Sequence, residues 1–503
     1  MKNINSIKTR ILFAIICVVA IASAAYAQGG MASQTPSSTK GAVIKGKAPV
    51  NKKLLPVKLP KAQEATLKNG LHVVLLESNH SLPIFSMEMV VMSGGLSDPA
   101  DMHGLASTTA SLLREGTAKH KSRELAEALD TIGATLNANS GVASPTTNIQ
   151  MAGLSDNLDQ ILDLFAEVIR TPTYPTEEVE RFKSRILAQQ PLLRSQPGFL
   201  AQERFNQAIY GTHPAALIVA PPDSLKKITA ADLTRFHDQN YVPNNATLFI
   251  TGDVKLKELM PRLERVFGDW KPGSVTAPIL PPIPAQAETK IHLINRPASV
   301  QTVFQIGSLG IERTDPDYVA MAVMNRILGT GPSSRLFLNI REAKGYTYSV
   351  GSGFSAGKYR GTFSASSPVR TEVTEGTIRE FMNEFKRIRD EKVSPIELEN
   401  AKHAIIGSFA LTLENPNGLL GNIITQKLYN LPANYWATYP QKVAAITADD
   451  VQRVAQKYID INHMQIVAVG DAAKTREALA KFGSVTEYDA DGKPMRTASV
   501  GGQ

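Results

Sequence analysis

The sequence predicts an α+β protein made of two homologous α/β domains. Three observations carry that expectation. A block of residues recurs 218 positions downstream, and strand-like and helix-like periodicities follow one another in the same order in each copy. A proline-rich stretch lies between the copies.

The repeat is legible residue by residue. Ile228-Thr229-Ala230-Ala231-Asp232-Leu233-Thr234-Arg235 returns as Ile446-Thr447-Ala448-Asp449-Asp450-Val451-Gln452-Arg453. The same offset lays Thr247-Leu248-Phe249-Ile250-Thr251-Gly252-Asp253 on Gln465-Ile466-Val467-Ala468-Val469-Gly470-Asp471. In each copy a Thr caps an amphipathic helix, an Asn-containing turn follows, and a β-rich run ends at Gly-Asp. Pro175-Thr176-Glu177-Glu178 and Pro395-Ile396-Glu397 open a further helix in each half.

In chain order, the turn Lys68-Asn69-Gly70 precedes a strand at 71–76, and a second strand covers 85–92. Helical spacing follows at 101–115, 122–132, 157–170 and 176–190. The second half repeats the scheme with strands near 291–295 and 301–307, helices near 315–328, 333–343, 371–389 and 395–412, and a strand at 466–469. Residues 271–289, with Pro272, Pro278, Pro281, Pro282 and Pro284, read as an extended linker. The boundaries are then 63–270 for the first domain, 290–475 for the second, and 476–503 for a flexible tail.

Residues 1–27 read as a signal peptide. Lys2, Lys8 and Arg10 precede an apolar stretch at 11–25, and Ala25-Tyr26-Ala27 supplies the small-residue cleavage site. Export to the periplasm follows, with no transmembrane anchor after processing. Cys17, the only cysteine of the chain, leaves with that segment, so the mature chain has neither a disulfide nor a thiolate metal ligand. The net charge of +8 is concentrated at the N-terminus: three basic residues in 1–27 and seven lysines in 28–62 leave the remainder at −2. Residues 28–62 therefore read as a Lys-rich flexible leader, and the folded body carries no basic surface for nucleic acid.

The motifs resemble those of the pitrilysin/insulinase zinc peptidases, in the branch similar to processing peptidases. Leu67-Lys68-Asn69-Gly70-Leu71, Ser93-Gly94-Gly95, Gly104-Leu105-Ala106 and Glu115-Gly116-Thr117 stand in that family's order and spacing. The resemblance implies two insulinase-like domains forming one half of a clamshell, which a second subunit completes around a peptide-binding chamber.

That family places His-x-x-Glu-His directly after Gly-Leu-Ala. Histidines at i and i+4 share a helix face and reach one metal, and the Glu between them activates the bound water. Here the run is Ser107-Thr108-Thr109-Ala110-Ser111, so Ser107, Ala110 and Ser111 stand at the ligand and base positions. The distal carboxylate ligand would fall at Ala188 or Gln189, and none of the nine histidines pairs with another at i, i+4. The expectation is a chain that binds no zinc itself, with zinc in a partner.

The second half retains a different motif. Gly329-Thr330-Gly331-Pro332-Ser333-Ser334 resembles the family's glycine loop, and Arg341 and Tyr348 resemble its Arg/Tyr pair. The resemblance implies that Gly329, Gly331, Ser333 and Ser334 contact substrate while Arg341 and Tyr348 hold the peptide backbone and the developing oxyanion. Taken alone, the same residues would be an Arg paired with a helix-end carboxylate and a Tyr packed in a strand. Gly353-Phe354-Ser355-Ala356-Gly357 matches a nucleophile elbow, but a strand-like run follows it where a helix is required, so it reads as a hairpin. The 329–334 loop also lacks the Gly-Lys-Ser/Thr ending of a phosphate cradle.

The reading is a zinc-less, exported subunit that pairs with a zinc-bearing paralogue to hydrolyse peptides. The rival is a catalytically inert peptide-binding or scaffold protein of the same fold.

Overall fold

The computed structural model describes residues 60–77 and 83–495. The signal segment, the leader as far as residue 59, His80 and residues 496–503 lie outside the described residues. Among those described, no helix is long and apolar enough to cross a membrane.

Two six-stranded mixed sheets form the frame. The first comprises β1 (Gln63–Thr66), β2 (His72–Glu77), β3 (Ile84–Val91), β4 (Thr135–Asn139), β5 (Thr147–Leu154) and β6 (Ala246–Gly252), in the order β1-β2-β6-β3-β5-β4. The second comprises β7 (Lys290–Asn295), β8 (Gln301–Leu309), β9 (Gly351–Phe354), β10 (Thr362–Arg370), β11 (Gln465–Gly470) and β12 (Ser484–Tyr488), in the order β12-β7-β11-β8-β10-β9. From β2 to β4 and from β7 to β9 in those orders, five strands correspond one to one, with β2 parallel to β6 and β7 parallel to β11. The outer strand differs: β1 comes from upstream and runs antiparallel to β2, whereas β12 comes from the chain's end and runs parallel to β7.

That last strand corrects the expectation of a flexible tail over residues 476–495, the part of 476–503 that is described. The Ala472–Ala480 helix carries Leu479 into the core, and Tyr488 of β12 is buried beside His292. A five-residue edge strand of alternating exposure has too little apolar content to announce itself.

Helices cover one face of each sheet because the strands alternate. Phe85, Met87, Met89 and Val91 of β3 face the core shared with the Leu158–Arg170 and Leu256–Phe267 helices. Phe304 and Ile306 of β8 do the same against the Tyr318–Leu328 and Thr374–Asp390 helices. The opposite faces are covered reciprocally. The Pro197–Tyr210 helix of the first half lays Phe205 and Ile209 on Val467 and Val469 of the second sheet. The Pro416–Leu428 helix of the second half lays Leu420 on Val74, Val90 and Phe249 of the first. Residues 271–289 contain neither helix nor strand.

Two helices are shorter than their periodicity suggests. The 101–115 pattern yields only Leu105–Ser111: Gly104 at φ +99° sets the start, and Leu112 at φ −98° and ψ 2° leaves the helical region at the end. The 333–343 pattern yields a π-helix over Phe337–Ala343. The repeated Thr caps form as expected, with Thr229–Asp232 and Thr447–Asp450 capping boxes opening the Ala230–Asn240 and Ala448–Tyr458 helices.

Candidate functional site

The Leu105–Ser111 helix is fixed at its first turn. Asp98 accepts from the Gly104 N–H at 2.6 Å and from the Ala106 N–H at 2.8 Å, and a Cβ added to Gly104 would stand 2.5 Å from the Ala220 Cβ. Burial raises the Asp98 carboxyl to about 7, against the opposing pull of those backbone donors.

On this helix three of the four hydroxyls turn back onto their own backbone, and the Thr108 hydroxyl is buried without a partner. Ser107 donates to the Gly104 carbonyl at 3.2 Å, Thr109 to Leu105 at 2.8 Å, and Ser111 to Ser107 at 2.8 Å. Ser107 and Ser111 share the half-buried face, and Ala110 is fully buried. Ala188 and Gln189 are exposed on the Thr176–Arg194 helix, while the adjacent Gln190 is buried and donates to the Ala220 carbonyl at 2.9 Å. Ala220 thus lies against the start of one helix and accepts a hydrogen bond from the other. His103, just before the helix, has a buried Nδ1 without a hydrogen-bond partner, and burial lowers its pKa. No cluster of three or more His, Cys, Asp or Glu able to hold a metal occurs among the described residues.

The second half assembles its site around a distorted turn. The Phe337–Ala343 segment is π-helical, with the Lys344 N–H reaching the Asn339 carbonyl at 3.0 Å, five residues back. Such single-turn distortions re-aim side chains and occur often at functional sites. Asn339 anchors the turn by donating to Glu380 at 3.0 Å and Glu384 at 2.9 Å on the Thr374–Asp390 helix.

From that turn Arg341 extends between two rings. Its guanidinium carbon lies 4.6 Å from the Phe337 centroid and 4.7 Å from that of Tyr348, and its Nε is 3.4 Å from Glu342. The structure therefore brings Arg341 and Tyr348 together, seven residues apart. Tyr348 is 83% exposed, so the ring is presented outward and is not packed in a strand. Its loop is tied to β10: Thr347 donates to the Pro368 carbonyl, and Ser367 donates to the Ser349 carbonyl at 2.9 Å.

The glycine loop is rigid at its start. A Cβ at Gly329 would stand 2.3 Å from the Ser352 nitrogen, whose N–H donates to the Gly329 carbonyl at 3.1 Å. Ser352 in turn donates to Asn325 at 2.7 Å, and Asn325 donates to Thr330 at 2.9 Å. Ser334 is fully buried and donates to the Gly331 carbonyl at 2.7 Å, so its hydroxyl supports the loop and is closed to a ligand, contrary to the expectation that it contacts substrate. Ser333 is exposed.

One functional support was not singled out in the sequence. Buried Arg335 grips Glu397 with Nε–Oε1 2.7 Å and Nη2–Oε2 3.2 Å. Burial would raise the Glu397 carboxyl, but Arg335 and the Ser394 donors together bring it down to about 2. The Ser394-to-Glu397 capping box was the signal that could have marked it. Gly353–Gly357 is a hairpin, with Phe354 of β9 paired to Phe363 of β10 and the Ser355 hydroxyl accepting the Thr362 N–H at 2.8 Å.

Residues 73–223 match the family model described as Insulinase (Peptidase family M16), and residues 227–405 match the one described as Peptidase M16 inactive domain. The chain is similar to an uncharacterized zinc protease of Streptomyces coelicolor, 24% identical over 402 residues that cover 78% of this chain and 86% of that protein. It is similar also to a Helicobacter pylori protein named non-peptidase homolog YmxG, 22% identical over 415 residues, 80% of this chain and 93% of that one. Among solved structures, a peptidase M16 inactive domain from Pseudomonas fluorescens aligns with a TM-score of 0.75 at 29% identity, covering 82% of this chain and 98% of that chain.

Proposed function

Because the chain belongs to the insulinase family of M16 peptidases, we propose that it is the non-zinc-binding subunit of an exported metallopeptidase, paired with a zinc-bearing paralogue. The observation that carries this reading is the Arg341/Tyr348 pair: a guanidinium held over an exposed phenol on a tethered loop, while the Leu105–Ser111 helix offers only hydroxyls and methyl groups. In this reading the two side chains direct donors at a substrate carbonyl attacked in the partner's site. Arg341 and Tyr348 stabilise the oxyanion that develops there. Gly331 and Ser333 border the peptide, while Gly329, expected from sequence to contact substrate, is buried with its carbonyl held by the Ser352 N–H and fixes the start of the loop.

The description of one relative as a non-peptidase homologue supports the absence of independent turnover. The N-terminal segment supports export to the periplasm.

Two measurements test this. Purified mature chain should carry far less than one zinc per chain and should not cleave peptides alone. Added to the zinc-bearing homologue with which it co-purifies, it should restore turnover. Stoichiometric zinc removable by a chelator, or a strictly monomeric chain that captures no homologue from native extract, would overturn the proposal.

A further inference from the structure

The second half contains a groove that the proposed catalysis leaves unused. It lies between the Tyr318–Leu328 and Pro395–Leu413 helices and encloses about 340 Å³. By the internal repeat these two helices correspond to the Leu105–Ser111 and Thr176–Arg194 helices of the first half.

Tyr318, Ala322 and Arg326 form one stripe of its wall, four residues apart. The other wall is apolar and aromatic. Phe409 stacks on Trp436 at 5.7 Å and packs against Tyr439 at 5.0 Å. None of the residues lining the groove is acidic.

Two guanidinium groups flank this surface without a counter-ion. Arg326 makes no hydrogen bond or ion pair among the described residues; its guanidinium rests beside Gly331, where an added Cβ would stand 3.3 Å away. Arg313 is 5% exposed, its guanidinium lies 3.9 Å from the Tyr318 ring centroid, and among the described residues that guanidinium donates only to the Tyr435 hydroxyl, at 3.2 Å. It too has no carboxylate partner among the described residues. Unneutralised cations beside a desolvated aromatic wall favour an anion whose remainder is apolar. Arg326 offers that anion the planar fork that matches a carboxylate.

We propose that this groove binds an organic carboxylate borne on an aromatic or branched aliphatic body, with Arg326 gripping the carboxylate and Phe409, Trp436 and Tyr439 enclosing the body. Two sources share this chemistry: the C-terminus of a peptide ending in an apolar residue, and a free hydrophobic acid. Thr330 of the glycine loop forms part of the rim, so a peptide lying on that loop would reach the groove. The peptide arm alone rests on the proposed function.

The test is a titration of the full mature chain followed by tryptophan fluorescence, since Trp436 is one of two tryptophans and the other, Trp270, lies in the first half. The probes are N-acetyl-Ala-Ala-Phe as free acid and as C-terminal amide, and hydrocinnamate against hydrocinnamyl alcohol. The acids should bind at least about tenfold more tightly than their neutral counterparts. Arg326→Gln should remove that preference without lowering Tm, Arg326→Lys should retain part of it, and Ser408→Phe, which fills the groove, should abolish binding of both acids. Preference for the tripeptide acid assigns the peptide source; binding of hydrocinnamate alone assigns the free acid. Equal binding of acid and neutral probes, no binding at millimolar concentration, or an unchanged preference in Arg326→Gln would overturn the proposal. None of these outcomes depends on turnover by the paired enzyme, which tests the Arg341/Tyr348 reading separately.

Discussion

Arg335 and Glu397 show how a single ion pair positions a loop. The guanidinium sits directly after the glycine loop, and the carboxylate belongs to the first turn of the Pro395–Leu413 helix, so the pair pins one to the other. Glu397 titrates near 2 in the folded chain, against 4.5 when unperturbed. A depressed carboxylate contributes stability that is fully present above pH 4.5 and disappears as the pH falls toward 2. Wild type should therefore lose stability through that window in acid unfolding, and Glu397→Gln should flatten the loss. At neutral pH the same variant leaves a buried Arg335 half paired. The expected cost is on the order of 2 kcal/mol by urea denaturation, reduced from the fully buried case because Glu397 is partly exposed. Equal pH profiles for the two proteins would show that the pair does not hold the loop.

At the scale of elements, the reciprocal helices join the halves. Phe205 is fully buried against the second sheet, and Leu420 against the first. Phe205→Ala should cost about 3–5 kcal/mol and Leu420→Ala about 2–5 kcal/mol, measured by denaturant unfolding. If the two halves were independent, each variant would unfold only part of the chain in a separate transition; one shared transition is expected. The central strands and most helices were legible because strand alternation, helix spacing and the Thr229 and Thr447 caps are local signals, whereas β1, β4, β5 and β12 were not. The reciprocal packing was not, because amphipathicity shows that a face is apolar without naming what covers it. The π-helix at Phe337–Ala343 was equally hidden: its apolar spacing suits a regular helix, and the Asn339 tethers to Glu380 and Glu384 come from 41 and 45 residues away. The candidate pair was legible as residues, but its contact was not, since it depends on that turn and on the Thr347 link to β10.

At the scale of the whole molecule, a duplicated frame has diverged in its chemistry. The first half presents Ser107, Ala110 and Ser111 on the Leu105–Ser111 helix, where the resemblance in sequence places the family's metal ligands; the second presents Arg341 and Tyr348, the tyrosine exposed. The proposed reading therefore places the metal in a partner subunit. The most direct test is the turnover of the reconstituted pair with Arg341→Lys or Tyr348→Phe in this chain, in assemblies shown intact by sizing. Loss of an interaction made mainly in the transition state should lower kcat about 100- to 1000-fold, roughly 3–4 kcal/mol, with KM little changed. Undiminished kcat in both variants would contradict the account and identify the chain as a scaffold.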